Sequence, residues 1–144
     1  MLKGIDPVIS PELLFVLAAM GHGDEIVIVD ANFPATSVAA ETVHGSPIRI
    51  DCGAVRAVEA VLSLLPLDGY EPGPVVTMQV VDEPETVPEV VAEAEPLFTA
   101  EGVASVSLER FAFYDRAKTC FAVLQTNELR AYGNFVLRKG VIFG

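Results

Sequence analysis

The chain has 144 residues, 20 acidic against 9 basic side chains for a net charge of −11, 51% hydrophobic residues and a mean hydropathy of +0.46. That length fits one domain over residues 1–144 with a sizeable core, and the negative balance repels phosphate backbones and anionic lipid, excluding nucleic acid and membrane as partners. The longest apolar runs, such as Leu13 to Met20, fall short of the roughly 18 residues a membrane span needs.

Asp6 and Pro7 interrupt the start of the chain, where a signal peptide would carry its apolar region. Excess apolar surface without a membrane segment points to a buried interface between subunits. Cys52 and Cys120 lie in or beside apolar, strand-like runs and read as buried free thiols rather than a disulfide.

In chain order, Ser10-Pro11-Glu12 starts a helix: serine caps, proline takes the first helical position, and glutamate suits the positive end of the dipole. Leu13, Leu14, Leu17 and Met20 follow at helical spacing, and Gly21 is the expected left-handed stop. Glu25 to Asp30 is the first strand. Its Val27-Ile28-Val29 run is β-branched without alternation, so both its faces should be covered. A loop follows, containing Thr36, Ser37 and His44. Pro47 to Cys52 reads as a second strand, and Ala54 to Leu62 as an amphipathic helix ending before Pro66.

Asp68-Gly69-Tyr70-Glu71-Pro72-Gly73-Pro74 is a turn cluster by composition and leads into a strand over Val75 to Val81. The pattern then predicts a helix from Val87 or Pro88 to about Phe98, its last turn shortened by Pro96. Val103 to Leu108 reads as a short strand, Glu109 to Lys118 as a helix, and Cys120 to Thr126 and Asn134 to Lys139 as strands. The acidic stretch from Asp82 to Glu95 reads as a solvated face. Alternating strands and helices argue for an α/β layered domain with a largely parallel sheet, the last two strands adding an antiparallel hairpin.

Histidine is the side chain suited to proton exchange in ordinary conditions, and there are two. His22 lies between two glycines that leave its ring unobstructed: either a poised acid–base group or a plain helix-ending turn. His44, beside Gly45, reads as an exposed turn residue. Metal binding lacks paired histidines and Cys-x-x-Cys. Gly21-x-Gly23 precedes a strand, whereas a dinucleotide fingerprint follows one, and there is neither a Walker loop nor a Gly-x-Ser-x-Gly elbow.

What remains is His22, Asp30, Asn32, Arg110, Tyr132 and Asn134 on an apolar frame, a set suited to a small neutral polyol. Each has a structural alternative. Asp30 and Asn134 can cap turns, Arg110 can pair with Glu109 or Asp115, and Tyr132 beside Gly133 can fill a hairpin core. At ~3.3 Å per residue, Glu25 to Asp30 spans about 17 Å. One small polyol cannot easily touch both His22 and Asp30 of one straight strand, so either the turn folds back or the site is completed across a subunit boundary.

Ile9-Ser10-Pro11-Glu12-Leu13-Leu14, Met20-Gly21-His22-Gly23-Asp24-Glu25-Ile26, Asp30-Ala31-Asn32-Phe33-Pro34-Ala35, Arg110-Phe111-Ala112-Phe113-Tyr114 and Tyr132-Gly133-Asn134 together resemble the L-fucose mutarotase and D-ribose pyranase family over essentially the whole chain. The His-Gly-Asp-Glu-Ile and Asn-Phe-Pro-Ala forms look like its fucose-type branch; the ribose type usually carries His-Thr-Asp and a Gly-Leu-Pro variant. The resemblance implies a three-layer α/β/α sandwich with a mostly parallel central sheet. It also implies a cytoplasmic, cofactor-free and metal-free isomerase built as a homo-oligomeric ring, commonly a decamer.

By the same resemblance His22 would be the proton donor, and Asp30, Arg110, Tyr132, Gly133 and Asn134 would hold the sugar. The implied activity is exchange of the α and β anomers of L-fucose or a related aldose by ring opening and closure. The alternatives are pyranose–furanose interconversion of ribose-like sugars, and a non-catalytic sugar-binding or transport-accessory ring. Phe33 offers an apolar face to a 6-deoxy methyl group.

Overall fold

The computed structural model describes residues 1–144. Its centre is β1 (Glu25–Val29), buried at every position after the first. In chain order the elements are α1 (Pro11–Ala19), β1, α2 (Ala35–Ala39), β2 (Ile48–Arg49), α3 (Ala54–Leu62), β3 (Val75–Met78), α4 (Glu89–Ala100), β4 (Val106–Leu108), α5 (Arg110–Lys118), β5 (Ala122–Gln125) and β6 (Phe135–Arg138). The six strands form one sheet in the order β2-β5-β1-β6-β3-β4. β1, β5 and β2 pair in parallel, as do β3 and β4; β6 lies between β1 and β3 and is antiparallel to both.

Period-2 geometry sends alternate strand residues to opposite faces. Ile26, Ile28, Ala122, Leu124, Phe135 and Leu137 pack with Leu13 and Val16 of α1, Val58 of α3, and Val90 and Phe98 of α4. Val27, Val29, Val76, Val123 and Val136 pack on the other side with Val38 of α2 and Phe113 and Ala117 of α5. Helices on both faces give the expected three layers, and two-sided burial explains the unalternated apolar strands. Cys120 is buried and Cys52 half-buried, both unpaired, and burial pushes both thiols up.

Several expectations need correction. β5 and β6 do not form a hairpin, because β1 lies between them. The residues joining them (126–134) form no tight two-residue turn; they cross the end of β1, where the Ala31 amide donates to the Glu128 carbonyl at 2.9 Å. Strands are shorter than the apolar runs that suggested them, since a run continues as long as burial does while pairing needs a partner. β2 keeps only Ile48 and Arg49 because it pairs on one side alone. The segment after Pro34 holds the short helix α2 where a loop was expected.

Gly21 is not the left-handed stop of α1. The chain leaves the helix extended at Met20 (φ −61°, ψ 138°), and the positive φ falls at Gly23 (+88°). The free carbonyls at the helix end are taken instead by the Lys139 ammonium, which donates to Leu17 at 2.7 Å and also to Met20. Pro96 does not end α4 either. The helix runs on to Ala100, and the bond Pro96 cannot donate would have gone to the carbonyl of exposed Ala92, which water can satisfy.

At the far end of β6, residues 66–68 press against residues 138–140. The Asp68 amide donates to the Arg138 carbonyl at 3.0 Å and the Gly140 amide to the Pro66 carbonyl at 2.7 Å. A Cβ on Gly140 would lie 2.5 Å from the Leu67 carbonyl oxygen and 2.9 Å from the Asp68 Cα, both rigid backbone. Gly140→Ala is therefore expected to cost about 1–3 kcal/mol in chemical denaturation through overpacking, with amide shift changes centred on residues 66–68.

Candidate functional site

The polar candidates divide between the two ends of β1. At the carboxyl end, where β1, β3 and β4 finish and β6 begins, Asp30, Asn32, Phe33, Arg110, Tyr132 and Asn134 line one cleft of about 230 Å³, with Met78 and Tyr114. This is the end at which open α/β sheets bind ligands. The volume is below the roughly 300–1,000 Å³ of sites for drug-sized molecules. A larger groove, about 500 Å³, between the β3–β4 edge and α4 has Glu95 as its only ionisable lining residue. That carboxylate is already committed to the Ser105 amide (3.0 Å) and hydroxyl (2.6 Å).

Asp30 follows β1 and its carboxylate accepts the amides of Asn32 (3.0 Å) and Phe33 (2.9 Å), closing the turn before Pro34. Burial raises its pKa above the ordinary carboxyl value, opposed by those amides, by the Gly133 amide and by Asn134. Asn134 is 3% exposed and accepts the Asp30 amide at 3.0 Å through Oδ1. Its Nδ2 meets only the Met78 sulfur at 4.0 Å. Asp30 and Asn134 are thus turn-forming groups and cleft-lining groups at once, so the two readings open in the sequence coexist.

Arg110 opens α5. Glu109 spends its carboxylate on the Phe111 and Ala112 amides (3.0 and 3.1 Å), capping the helix. Arg110 pairs with neither Glu109 nor Asp115; its guanidinium lies 4.5 Å from the Phe111 ring centre, and its buried Nε has no hydrogen-bond partner. A buried donor left unmade beside a cleft is a group waiting for an acceptor. Tyr132 adopts φ +64°, rare for a residue with a side chain, and its hydroxyl accepts the Val81 amide at 3.2 Å. Gly133 does not line the cleft. It is small because a Cβ there would lie 3.1 Å from Glu128 Cγ and 3.3 Å from Val90 Cγ1. Phe33 is 6% exposed, held edge-on by Phe113 and Tyr114, and offers the cleft only part of its ring.

His22 is absent from this cleft. It sits before the amino end of β1, where the Gly23 amide donates to the Lys139 carbonyl at 2.9 Å. Its side chain is 47% exposed, and its Nε2 lies 3.1 Å from Asp68 Oδ1. The Tyr70 ring stands 5.2 Å away, tilted by 56°. The Tyr70 amide, His22, Arg138 and the Glu71 amide hold the Asp68 carboxyl well below the usual carboxylate range, against the effect of burial. The turn does not fold back, so one chain keeps His22 and Asp30 apart. Asp68 was missed in the sequence, where it is one polar residue of a turn cluster, 46 positions from His22. His44 is not a free turn residue: its Nε2 meets Glu12 Oε1 at 2.8 Å, tying the loop to α1. No group of three or more His, Cys, Asp or Glu side chains is placed to hold a metal ion, and no helix is long and apolar enough to cross a membrane.

The chain is thus a layered α/β protein with a small cleft at the carboxyl ends of its strands, lined by polar and aromatic side chains among which Arg110 Nε lacks a partner. The chain belongs to the RbsD / FucU transport protein family, whose model matches residues 3–142. It is 46% identical over 147 residues to the fucose mutarotase of Homo sapiens, covering 98% of this chain and 94% of that one. Among solved structures it is similar to protein Atu2016 (45% identity, TM-score 0.94, covering 99% of this chain and 97% of that one). It is also similar to the fucose mutarotase of Streptococcus pneumoniae in complex with L-fucose (34% identity, TM-score 0.85, covering 99% and 100%).

Removing the Asn134 side chain strands the buried Asp30 amide. Asn134→Ala should lower stability by about 1–3 kcal/mol in denaturant titration and loosen the 30–34 turn, seen as faster hydrogen exchange at Asn32 and Phe33.

Proposed function

We propose that residues 1–144 form a single sugar mutarotase domain, an isomerase that exchanges the α and β anomers of L-fucose or a closely related aldose. The observation that carries this reading is the likeness, across 98% of the chain, to proteins named fucose mutarotase, together with a related structure holding L-fucose. The site supports it through the groups it leaves free. Arg110 Nε and Asn134 Nδ2 are donors without good partners, and Asp30 is an acceptor. Such a set suits hydroxyls on a small ring.

In this reading Asp30, Arg110, Tyr132 and Asn134 fix the sugar hydroxyls, and Gly133 holds the Asp30 carboxylate through its amide. His22 gives its proton to the ring oxygen while the proton leaving the anomeric hydroxyl is relayed onward by Tyr132 or a water. The C1–O5 bond breaks and C1 becomes an aldehyde carbon. Rotation about C1–C2 presents the other face, and closure returns both protons, so none is gained or lost. Acid–base help of this kind is worth roughly 10²–10⁴-fold and calls for neither coenzyme nor metal. The exposed edge of Phe33 receives the C6 methyl.

Because one chain separates His22 from Asp30 along a straight strand, the reading assigns each active site to two subunits of a homo-oligomeric ring, a decamer in a cytoplasmic setting. Exposed Phe15, Leu129, Ile142 and Phe143 provide apolar surface for such contacts. Saturation transfer between anomeric proton resonances is the test, with L-fucose, L-galactose (which differs by a hydroxyl at C6) and D-ribose. Exchange should be fastest for L-fucose and fall by about 10²–10⁴-fold in His22→Ala. Preferential acceleration of ribose would favour pyranose–furanose interconversion instead, and binding without exchange would favour a transport-accessory ring.

A further inference from the structure

Resting on the mutarotase reading of the cleft, we infer that Glu128, which lines no part of it, is a positioning residue for Tyr132. Tyr132 holds φ +64°. A residue with a side chain keeps that left-handed conformation only where its surroundings dictate it. It lies in the 126–134 connection, which contains no helix or strand, so the dictating contacts come from outside the segment. Towards the cleft they are the Val81 amide, which donates to the Tyr132 hydroxyl, and the Asp30 amide, which donates to Asn134. Away from the cleft they converge on Glu128.

The Glu128 side chain is 9% exposed, and both its carboxylate oxygens are in use. Oε1 accepts the Ala54 amide at 3.3 Å and Arg130 Nη2 at 3.0 Å. Oε2 accepts the Arg130 amide at 3.2 Å and Arg130 Nε at 3.1 Å. The bond to Ala54 gives α3 the cap that Gly53, just before it, has no side chain to make. Arg130 carries the contacts on to Glu93 of α4. The stem of the same acid supports Gly133, where a Cβ would lie 3.1 Å from Glu128 Cγ. The Glu128 carbonyl accepts the amide of Ala31, next to Asp30, at 2.9 Å. One buried acid therefore fixes the chain before Tyr132, at Arg130, and after it, at Gly133, and ties both to the start of α3. A fully satisfied buried network of this kind is rigid, and the phenol it carries is the group that the mutarotase reading uses to relay a proton.

Glu128→Gln tests this by chemistry rather than by shape. The stem and its contact with Gly133 remain, but every partner of the carboxylate is a donor, so the amide NH₂ must face one of them unmatched. For L-fucose anomer exchange, kcat/KM should fall about 10²-fold, the effect of roughly 1 Å of misplacement, in protein that circular dichroism shows to be folded. A residue needed for folding alone would lower the denaturation midpoint and leave kcat/KM of the folded protein unchanged, and that result overturns the assignment. Tyr132→Phe supplies the link between the two residues. If Glu128 acts through Tyr132, the double variant loses clearly less than the product of the two single losses; losses that simply multiply overturn the assignment. Arg130→Ala removes half of the clamp at a partly exposed side chain outside the cleft, and decides the matter if Glu128→Gln does not fold. Its kcat/KM should fall too, and an unchanged value overturns the assignment. A wild-type protein that exchanges no aldose anomers overturns the mutarotase reading instead.

Discussion

β1 is a short strand hydrogen-bonded on both sides, by β5 and by β6. It cannot bend without breaking a ladder, and its interior offers Ile and Val alone. Its two ends therefore stay apart, and every group with chemistry to offer is pushed to one end or the other. His22 is delivered at the amino end, and Asp30 at the carboxyl end beside Arg110, Tyr132 and Asn134. The half-exposed histidine stands at the first end, and the cleft lined by Asp30 and Arg110 stands at the second and has no histidine.

β6 is the element that furnishes both ends. As the one strand running against its neighbours, it starts where β1 stops and stops where β1 starts. Asn134 at its entry holds the Asp30 backbone, while Arg138 at its exit holds Asp68, which holds His22. Lys139, one residue on, closes the carbonyl end of α1 and accepts the Gly23 amide. An all-parallel sheet would have left one end of β1 without this support. The electrostatics differ in the same sense: Asp30 is raised by burial, whereas Asp68 is held low by amides and an arginine.

Much of this was legible in the sequence because the signals were local. Ser10 caps α1 as its position suggested, accepting the Leu13 amide at 3.1 Å. The β-branched run at Val27 marked a strand covered on both faces, and Ala54–Leu62 emerged with the predicted helix bounds. Asp30, Arg110, Tyr132 and Asn134 were placed together by motif and do line one cleft. What could not be read depends on strand order and on side chains far apart in the chain. The antiparallel insertion of β6 replaces a local hairpin with a pairing across more than a hundred residues, Glu25 to Arg138. Lys139 stopping α1 in place of a glycine, and Asp68 meeting His22, follow from that insertion and leave no local mark.

The proposed division of one site between two chains is tested most directly by co-assembling His22→Ala and Asp30→Ala subunits, each expected to be inactive alone, and measuring L-fucose anomer exchange. Random mixing in equal amounts should restore both residues at about a quarter of subunit boundaries, and activity should return in that proportion. If mixed assemblies form and exchange remains absent, His22 and Asp30 act within one chain and the separation imposed by β1 has been misread.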